Sequence, residues 1–258
     1  MDPSIKLYLG KYRKYLYEAK DLIIIFGDFE TVQVSRERYN ERHNIAPLHD
    51  EAEPPMRRVL SACALVAHSL AERESFGWTL TLPGSPMGFF CAVEPEGMIC
   101  GRARPAPPER AAVYVNRKQA QGPITESHYT PSSDDPVKAI QGYFEASLQI
   151  PTRIELDAAL NGVLIQALPN GDPEAFFQAS PEDFIAQARA LRDAGSLKPM
   201  AEFLVFYECR CDENMVLDLI TSLPKNRRKE LWGDDGQLEI ECPRCGREYI
   251  LHKKDTLH

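Results

Sequence analysis

The chain has 258 residues, of which 43% are hydrophobic and 26% are charged, and its formal net charge is −8. This composition is typical of a soluble globular protein with one sizeable core and a small additional module. The acidic balance argues against nucleic-acid binding, for which a basic face is expected. No apolar run approaches the roughly 20 residues that cross a bilayer, and no signal-peptide pattern opens the chain. We therefore expect a cytoplasmic protein that binds neither membranes nor nucleic acid.

The first 168 residues predict an α+β domain, mainly of antiparallel strands with a few helices. Residues 1–20, rich in tyrosine and basic residues, are predicted to be an N-terminal extension packed on a core domain of residues 21–168. Alternation and turn signals predict strands, and apolar spacing predicts helices. The predicted strands are 22–26, 31–34, 76–82, 89–93, 98–102, 112–115, 153–156 and 163–168, and the predicted helices are 56–70 and 136–148, the latter capped by Asp135.

Three cysteines fall inside these predicted elements. Cys63 lies on the apolar face of helix 56–70, where it is expected to be a small core residue. Cys91 and Cys100 lie in the two strands of a predicted hairpin. A disulfide across that hairpin is compatible with the spacing, but buried free thiols are the favoured interpretation.

Residues 169–204 predict a helical linker between two domains. Proline and glycine break the chain at 169–173, and two short helical patterns follow at 173–179 and 181–194. The second is amphipathic, with Phe184, Ile185, Ala188 and Leu191 on one side. Short helices depend on docking. If the C-terminal unit unfolded, that docking could fail and expose the apolar residues.

Two close cysteine pairs dominate the C-terminal unit, residues 205–258. Cys209 and Cys211 form a C-x-C pair, Cys242 and Cys245 form a C-x-x-C pair, and 30 residues separate the pairs. This spacing predicts one Zn²⁺ held by all four thiolates, because soft sulfur ligands select zinc over hard cations. A unit of about 50 residues buries little surface, and structural zinc contributes roughly 10–16 kcal/mol of apparent binding free energy. Two disulfides, or free thiols on a surface hairpin, are the alternative, which no sign of an oxidising compartment supports.

The same thiolates are the form that oxidants attack. Around zinc they leave a local charge of −2, which Arg210, Arg244 and Arg247 can partly offset. On oxidation each cysteine is nearest its own partner, so each pair would form the natural disulfide. Such small rings constrain an unfolded chain little. Oxidation is therefore predicted to remove the stabilisation by bound zinc, which is on the order of 10 kcal/mol. The unit would then unfold, as in a switch.

The cysteine pattern, followed by glycine, resembles the redox-switch domain of the 33 kDa chaperonin family, heat shock protein 33. Weaker similarity to that family extends over most of residues 20–255. The stretches that carry it are Arg58 to Leu65, Gly84 to Gly88, Tyr143 to Thr152, Phe206 to Glu208, Gly236 to Glu241 and Gly246 to Tyr249. Residues 131–136 replace a Ser-Gly-Glu segment of the family, the linker is shorter, and residues 1–20 are extra.

The resemblance implies a redox-regulated, ATP-independent holdase chaperone with no catalytic residues. The reduced, zinc-bound form is expected to be inactive. Oxidation would form the disulfides Cys209–Cys211 and Cys242–Cys245, release zinc, and unfold the switch and the linker. The family then implies a homodimer that binds unfolding client proteins through exposed apolar surface during oxidative stress.

Two other functions compete with this interpretation. A constitutive protein- or RNA-binding module with a structural zinc unit would account for the altered upstream segment and the short linker. A zinc enzyme such as a deaminase needs an open metal position, which four thiolates would close. Its Pro-Cys-x-x-Cys motif is also absent, because Pro243 lies inside the cysteine pair. We therefore expect no enzyme.

Overall fold

The computed structural model of the chain describes residues 8–69, 74–106, 110–119, 122–232 and 236–253. The strands are β1 (Gly10–Tyr17), β2 (Leu22–Gly27), β3 (Glu74–Thr81), β4 (Met87–Val93), β5 (Met98–Pro105), β6 (Ala112–Gln119), β7 (Ile124–Tyr129), β8 (Thr152–Leu156), β9 (Gly162–Ala167), β10 (Lys198–Tyr207), β11 (Gln237–Glu241) and β12 (Glu248–His252). The helices are α1 (Phe29–Arg42), α2 (Glu53–Ala67), α3 (Pro136–Tyr143), α4 (Glu174–Phe177), α5 (Pro181–Asp193), α6 (Glu213–Ser222) and α7 (Lys225–Trp232), and a π-helical turn, Phe144–Leu148, continues α3.

Ten strands form one mixed sheet in the order β7-β6-β3-β4-β5-β10-β1-β2-β9-β8. Its paired neighbours are antiparallel except β5 and β10, which run parallel. The strands β11 and β12 form a separate hairpin. The predicted α+β class, mainly antiparallel, is confirmed.

Helices cover both faces of the sheet around β2, which explains its continuous apolar sequence. Ile23 and Ile25 join the main core, which contains α1 and α2. Leu22, Ile24 and Phe26 join a second core with α4 and α5. Successive side chains of a strand point to opposite faces, so both faces of this strand must be apolar.

The helix α1 replaces the strand predicted at 31–34, and that prediction is wrong. Asp28 caps the helix by accepting a hydrogen bond from the Thr31 backbone N–H at 3.1 Å. The β-branched residues at 31–34 suggested a strand, but the side chains of Phe29 and Val32 are one helical turn apart and both are buried. The cap and this apolar spacing override the local β propensity.

The predicted extension and linker both contribute strands to the centre of the sheet. The first segment contains β1, which pairs with β2 on one side and with β10 on the other. Residues 1–7 lie outside the described residues. The strand β10 crosses the predicted boundary at residue 204, and its end pairs with β5. The extension is therefore a core strand rather than an addition, and the linker ends inside the sheet.

The helical part of the linker is docked on the core by a buried arginine. Arg153 of β8 donates hydrogen bonds to the carbonyl oxygens of Phe176, Phe177 and Ala179 at 2.7, 3.1 and 2.8 Å. Its guanidinium also lies 4.7 Å from the centre of the Phe184 ring. The arginine thus satisfies carbonyls at and just after the end of α4. Both short helices pack on the core, and the amphipathic face predicted for the second helix is buried there.

The three upstream cysteines are free and buried, as predicted. Cys91 lies opposite Gly101, and Cys100 lies opposite Ala92, so the two thiols are on opposite faces of the hairpin. On the α2 side, burial and then the neighbouring Cys63 thiol raise the pKa of Cys91.

The burial of His68, at the end of α2, should make the free energy of unfolding depend on pH. Its ring stacks on Phe203 of β10 at 4.2 Å, and burial, with a smaller contribution from Lys14, lowers its pKa to about 4. In the unfolded chain the ordinary pKa is about 6.5. The unfolded state therefore binds more protons between these values, and the free energy of unfolding should fall by up to about 3 kcal/mol as pH drops from about 6.5 to 4.

Urea denaturation at pH 7 and at pH 5 tests this expectation. The variant His68→Phe keeps a stacking ring without a titrating nitrogen, so its urea midpoint should change less between the two pH values. Equal pH dependence in both proteins would contradict the assignment.

Candidate metal centre

Four cysteine sulfurs converge where the sheet meets the C-terminal unit. The Sγ atoms of Cys209, Cys211, Cys242 and Cys245 all lie within 4.8 Å of one another. The residues are at most 6% exposed. Zinc–sulfur bonds of about 2.3 Å place tetrahedral sulfurs about 3.8 Å apart. The donor type, number and spacing therefore fit one Zn²⁺, and every predicted ligand lies in the cluster.

Each pair sits in a short segment that the backbone fixes. The first follows the end of β10 and precedes α6, which Asp212 caps by accepting a hydrogen bond from the Met215 N–H at 2.7 Å. The second follows β11 and forms a turn in which Gly246 donates to the Cys242 carbonyl at 2.9 Å. Gly246 has φ +86°, and a Cβ there would lie 2.2 Å from the Arg102 guanidinium. The turn favours glycine, because other residues rarely adopt this positive φ.

The cluster itself favours partial deprotonation. Hydrogen bonds from neighbouring thiols, with Cys209 the largest contributor, lower the pKa of Cys211 to about 6 and the pKa of Cys242 well below its ordinary value. The pKa values of Cys209 and Cys245 are raised, so these two sulfurs keep their protons and can donate hydrogen bonds to the thiolates of Cys211 and Cys242. Thiolate is the form that ligates zinc and reacts with oxidants.

Ion pairs hold the C-terminal unit against the sheet. Arg244 Nη2 lies 2.7 Å from Glu94 Oε1, and Arg210 Nη2 lies 2.5 Å from Glu96 Oε2. From the other side, Arg102 of β5 lies 2.7 Å from Glu241. Burial opposes ionisation of Glu94, but hydrogen bonds from Arg244 and Ser75 outweigh it and hold the pKa of Glu94 below its ordinary value. Two arginines predicted to offset thiolate charge therefore also bind the unit to the β4–β5 hairpin.

A zinc deaminase also needs a His-x-Glu motif beside its metal, and the chain contains one such triplet. His49, Asp50 and Glu51 form a His-x-Glu triplet, but they are exposed and do not join the cysteine cluster. Among the described residues, the four cysteines are the one group with metal-ligand spacing. In the same residues no helix is long and apolar enough to cross a membrane.

Comparison with known proteins identifies the family. A family model described as Hsp33 protein matches residues 32–252. The chain belongs to the Hsp33 family. The crystal structure of the 33 kDa chaperonin (heat shock protein 33 homolog) from Thermotoga maritima superposes with a TM-score of 0.66 at 16% identity, covering 96% of each chain. That likeness shows a shared Hsp33 fold.

Sequence relatives of this Hsp33 chain are named 33 kDa chaperonin. The one from Hahella chejuensis is 27% identical over 177 residues, which cover 58% of this chain and 62% of the relative. The one from Pectobacterium atrosepticum is 25% identical over 143 residues, covering 46% and 48%. The matches thus span about half to three fifths of these relatives.

Tyr39 of α1 is a site residue that the sequence did not reveal. Its hydroxyl donates to Cys245 Sγ at 3.4 Å and lies 4.0 Å from Cys211 Sγ. Burial, followed by the hydrogen bond to Cys245, raises the pKa of Tyr39, so the hydroxyl keeps its proton. No motif places α1 beside the cysteines, because that contact spans more than 200 residues of sequence.

Removing this hydroxyl should speed oxidation of the Hsp33 cluster. With zinc held by all four cysteines, Cys245 would be a thiolate and therefore a charged acceptor. A hydrogen bond to a charged acceptor is worth about 1.5–3 kcal/mol, and its loss leaves the Cys245 sulfur more nucleophilic. The variant Tyr39→Phe should release zinc under peroxide at least several-fold faster than wild type, as measured with a chromogenic chelator.

Tyr12→Phe is the matched control, because the Tyr12 hydroxyl is also buried and finds no partner among the described residues. This control should react at the wild-type rate. A Tyr39→Phe rate equal to that of the control would contradict the assigned role.

Proposed function

We propose that this Hsp33 chain is a redox-regulated, ATP-independent holdase of a reducing cytoplasm. The observation that carries the proposal is the tetrathiolate cluster buried at the contact between the sheet and the C-terminal unit. The four cysteines belong to the same core as Tyr39 of α1 and Tyr207 of β10. Oxidation of the sulfurs would therefore disturb the packing of the C-terminal unit on α1 and β10 as well as the turns that hold the cysteines.

The four cysteines would hold one zinc ion, and bound zinc supplies folding free energy on the order of 10 kcal/mol. Oxidation converts thiolates into disulfides, Cys209–Cys211 and Cys242–Cys245 in our proposal, which no longer ligate metal. These pairs close rings of only three or four residues, so they constrain the chain little. The C-terminal unit then loses its main source of stability and leaves the sheet.

Departure of the unit would uncover apolar surface for clients. Val216 and Ile220 of α6, Trp232 of α7 and Leu251 of β12 are buried in the shared core. The unit itself already exposes Leu219 and Ile250, which are 61% and 57% exposed. Loss of packing would make these residues one flexible apolar segment, which suits binding of unfolding proteins.

Strand pairing within the linker supports a finer version of the proposal, in which its parts differ in stability. The strand β10 is paired on both sides, along most of its length with β1 and at its end with β5. We propose that unfolding begins after β10, and that α4 and α5, docked through Arg153, follow only secondarily. The oxidised protein, by family analogy, would act as a homodimer.

Light scattering from a thermally unfolding client tests the function. The reduced, zinc-loaded protein should leave aggregation unchanged, and the oxidised protein should suppress it, with about one zinc released per chain. Equal behaviour in both states despite zinc release would contradict the switch. Redox-insensitive binding of a protein or RNA would instead favour a constitutive module.

A further inference from the structure

The side chain of Cys100 lies on the side of β5 that faces the C-terminal unit. Neighbouring Gly101 faces α2, since a Cβ at that position would lie 2.4 Å from Met56 and 3.1 Å from Leu60. Side chains alternate along a strand. Cys100 therefore shares its face with Arg102 and Arg104, and both arginines pair with Glu241 of the C-terminal unit.

The register of β5 and β10 brings Cys100 to the first cysteine of the cluster. Phe206 lies opposite Met98, and Tyr207 lies opposite Ile99. The Glu208 N–H then donates to the Ile99 carbonyl at 3.0 Å. Glu208 is therefore the residue opposite Cys100, and Cys209 follows directly. The neighbouring Cys100 thiol is the largest cause of the raised pKa of Cys209. Both residues are at least 94% buried.

The backbones at this point suit a covalent link. Adjacent strands lie about 4.8 Å apart, and disulfides join Cα atoms that are about 4.4–6.8 Å apart. Cys209 is the residue next to Glu208, which lies opposite Cys100. A bond between the two sulfurs would therefore need side-chain rotation and a small adjustment of the segment that follows β10. By contrast, the buried Cys91 thiol faces α2 and lies beside Cys63, away from the cluster.

We propose that Cys100 is a fifth redox-active thiol, which competes with Cys211 for oxidised Cys209 and forms a Cys100–Cys209 disulfide. The proposal rests on the proposed oxidation of the cluster by a peroxide. The Cys209 sulfur attacks one oxygen of hydrogen peroxide and the O–O bond breaks. The hydroxide that leaves takes the Cys209 thiol proton and departs as water, so that Cys209 becomes a sulfenic acid. The Cys100 thiol then attacks the sulfenic sulfur, the S–S bond forms, the S–O bond breaks, and the thiol proton leaves with the hydroxyl as water.

The two competing disulfides would have opposite structural effects. The Cys209–Cys211 bond leaves the C-terminal unit free to depart. The Cys100–Cys209 bond joins β5 to the residue that follows β10, so it fixes the start of the unit on the sheet. Because it closes no three-residue ring and leaves the folded unit in place, this bond should dominate when oxidation occurs without heat. It would produce an oxidised form that is restrained from binding clients.

Peptide mapping after peroxide treatment at low temperature tests this bond. Trypsin cleavage after Arg210 separates Cys209, in peptide 193–210, from Cys211, in peptide 211–225. Wild type should yield peptide 74–102 linked to peptide 193–210. Cys100→Ala should lower this product at least tenfold and raise the linked 193–210 and 211–225 pair.

Cys91→Ala is the matched control, because Cys91 is an equally buried thiol in the same peptide. That variant should retain the 74–102 link at the wild-type level. Zinc content of each reduced variant verifies folding, and Cys100→Ser serves if the alanine variant binds no zinc.

Wild-type protein alone can overturn the proposal. If all four cluster cysteines are oxidised while Cys100 remains fully alkylatable after unfolding, the link does not form. That result would contradict the Cys100–Cys209 disulfide but not the proposed holdase function. The holdase function is tested separately by client protection.

Discussion

A chain carrying Cys242→Ser is expected to lose at least nine tenths of its bound zinc and to protect clients without oxidant. Cys242 is 1% exposed, and its sulfur is one of four that meet in the cluster. Mutating a residue that only hydrogen-bonds to a metal ligand already lowers metal affinity by about 10–100-fold. Removing a ligand itself should lower zinc affinity by more than that. Zinc per chain, measured by mass spectrometry, and client light scattering give the two readouts.

Cys63→Ser is the matched control for this experiment, because Cys63 is a fully buried thiol outside the cluster. It should bind one zinc per chain and remain inactive until oxidised. If Cys242→Ser binds no zinc and still fails to protect a client, loss of the metal does not activate the protein. The redox switch would then be wrong.

Reversing the charge of Glu94 is expected to weaken the docking of the C-terminal unit strongly. Arg244 is only 27% exposed beside Glu94, and Arg210 lies near the same hairpin. Glu94→Arg would leave the half-buried Arg244 guanidinium unpaired against a second positive charge. Breaking a fully buried pair costs about 3–5 kcal/mol, and this partly exposed pair should cost on the order of 2 kcal/mol. The peroxide concentration for half-maximal zinc release should fall several-fold.

Two further variants separate docking from general destabilisation. The charge swap Glu94→Arg with Arg244→Glu restores the pair and should recover much of the wild-type threshold. Glu96→Arg breaks the exposed Arg210 pair, which is worth at most about 1 kcal/mol, and should shift the threshold little. Equal effects of the two glutamate variants would show that this pair does not control the unit.

The metal ligands could be predicted from sequence because their chemistry is local. Two cysteine pairs at fixed spacing already specify a tetrathiolate, and Asp212 and Asp135 are helix caps as their positions suggested. The strands of the β4–β5 hairpin and the helix α2 were also predicted, since their periodicity and turn residues lie within short windows.

The contacts that couple the cluster to the sheet could not be predicted in this way. Tyr39, Glu94 and Cys100 reach the C-terminal unit only through the order of strands in the sheet. The central position of β1 was missed for the same reason. Its segment was predicted to be an extension packed on the core domain, yet β1 lies between two paired strands of the sheet. Pairing partners distant in sequence leave no local pattern.

Hydrogen exchange, measured peptide by peptide before and after oxidation, tests the central claim most directly. In the reduced, zinc-loaded protein, α6 and the β11–β12 hairpin should exchange slowly. After oxidation and zinc release with mild heat, both should exchange at nearly unfolded rates, whereas β10 should keep its protection. Unchanged protection of α6 and the hairpin in zinc-free, oxidised protein would contradict the account, because the cysteines would then not control the fold of the unit.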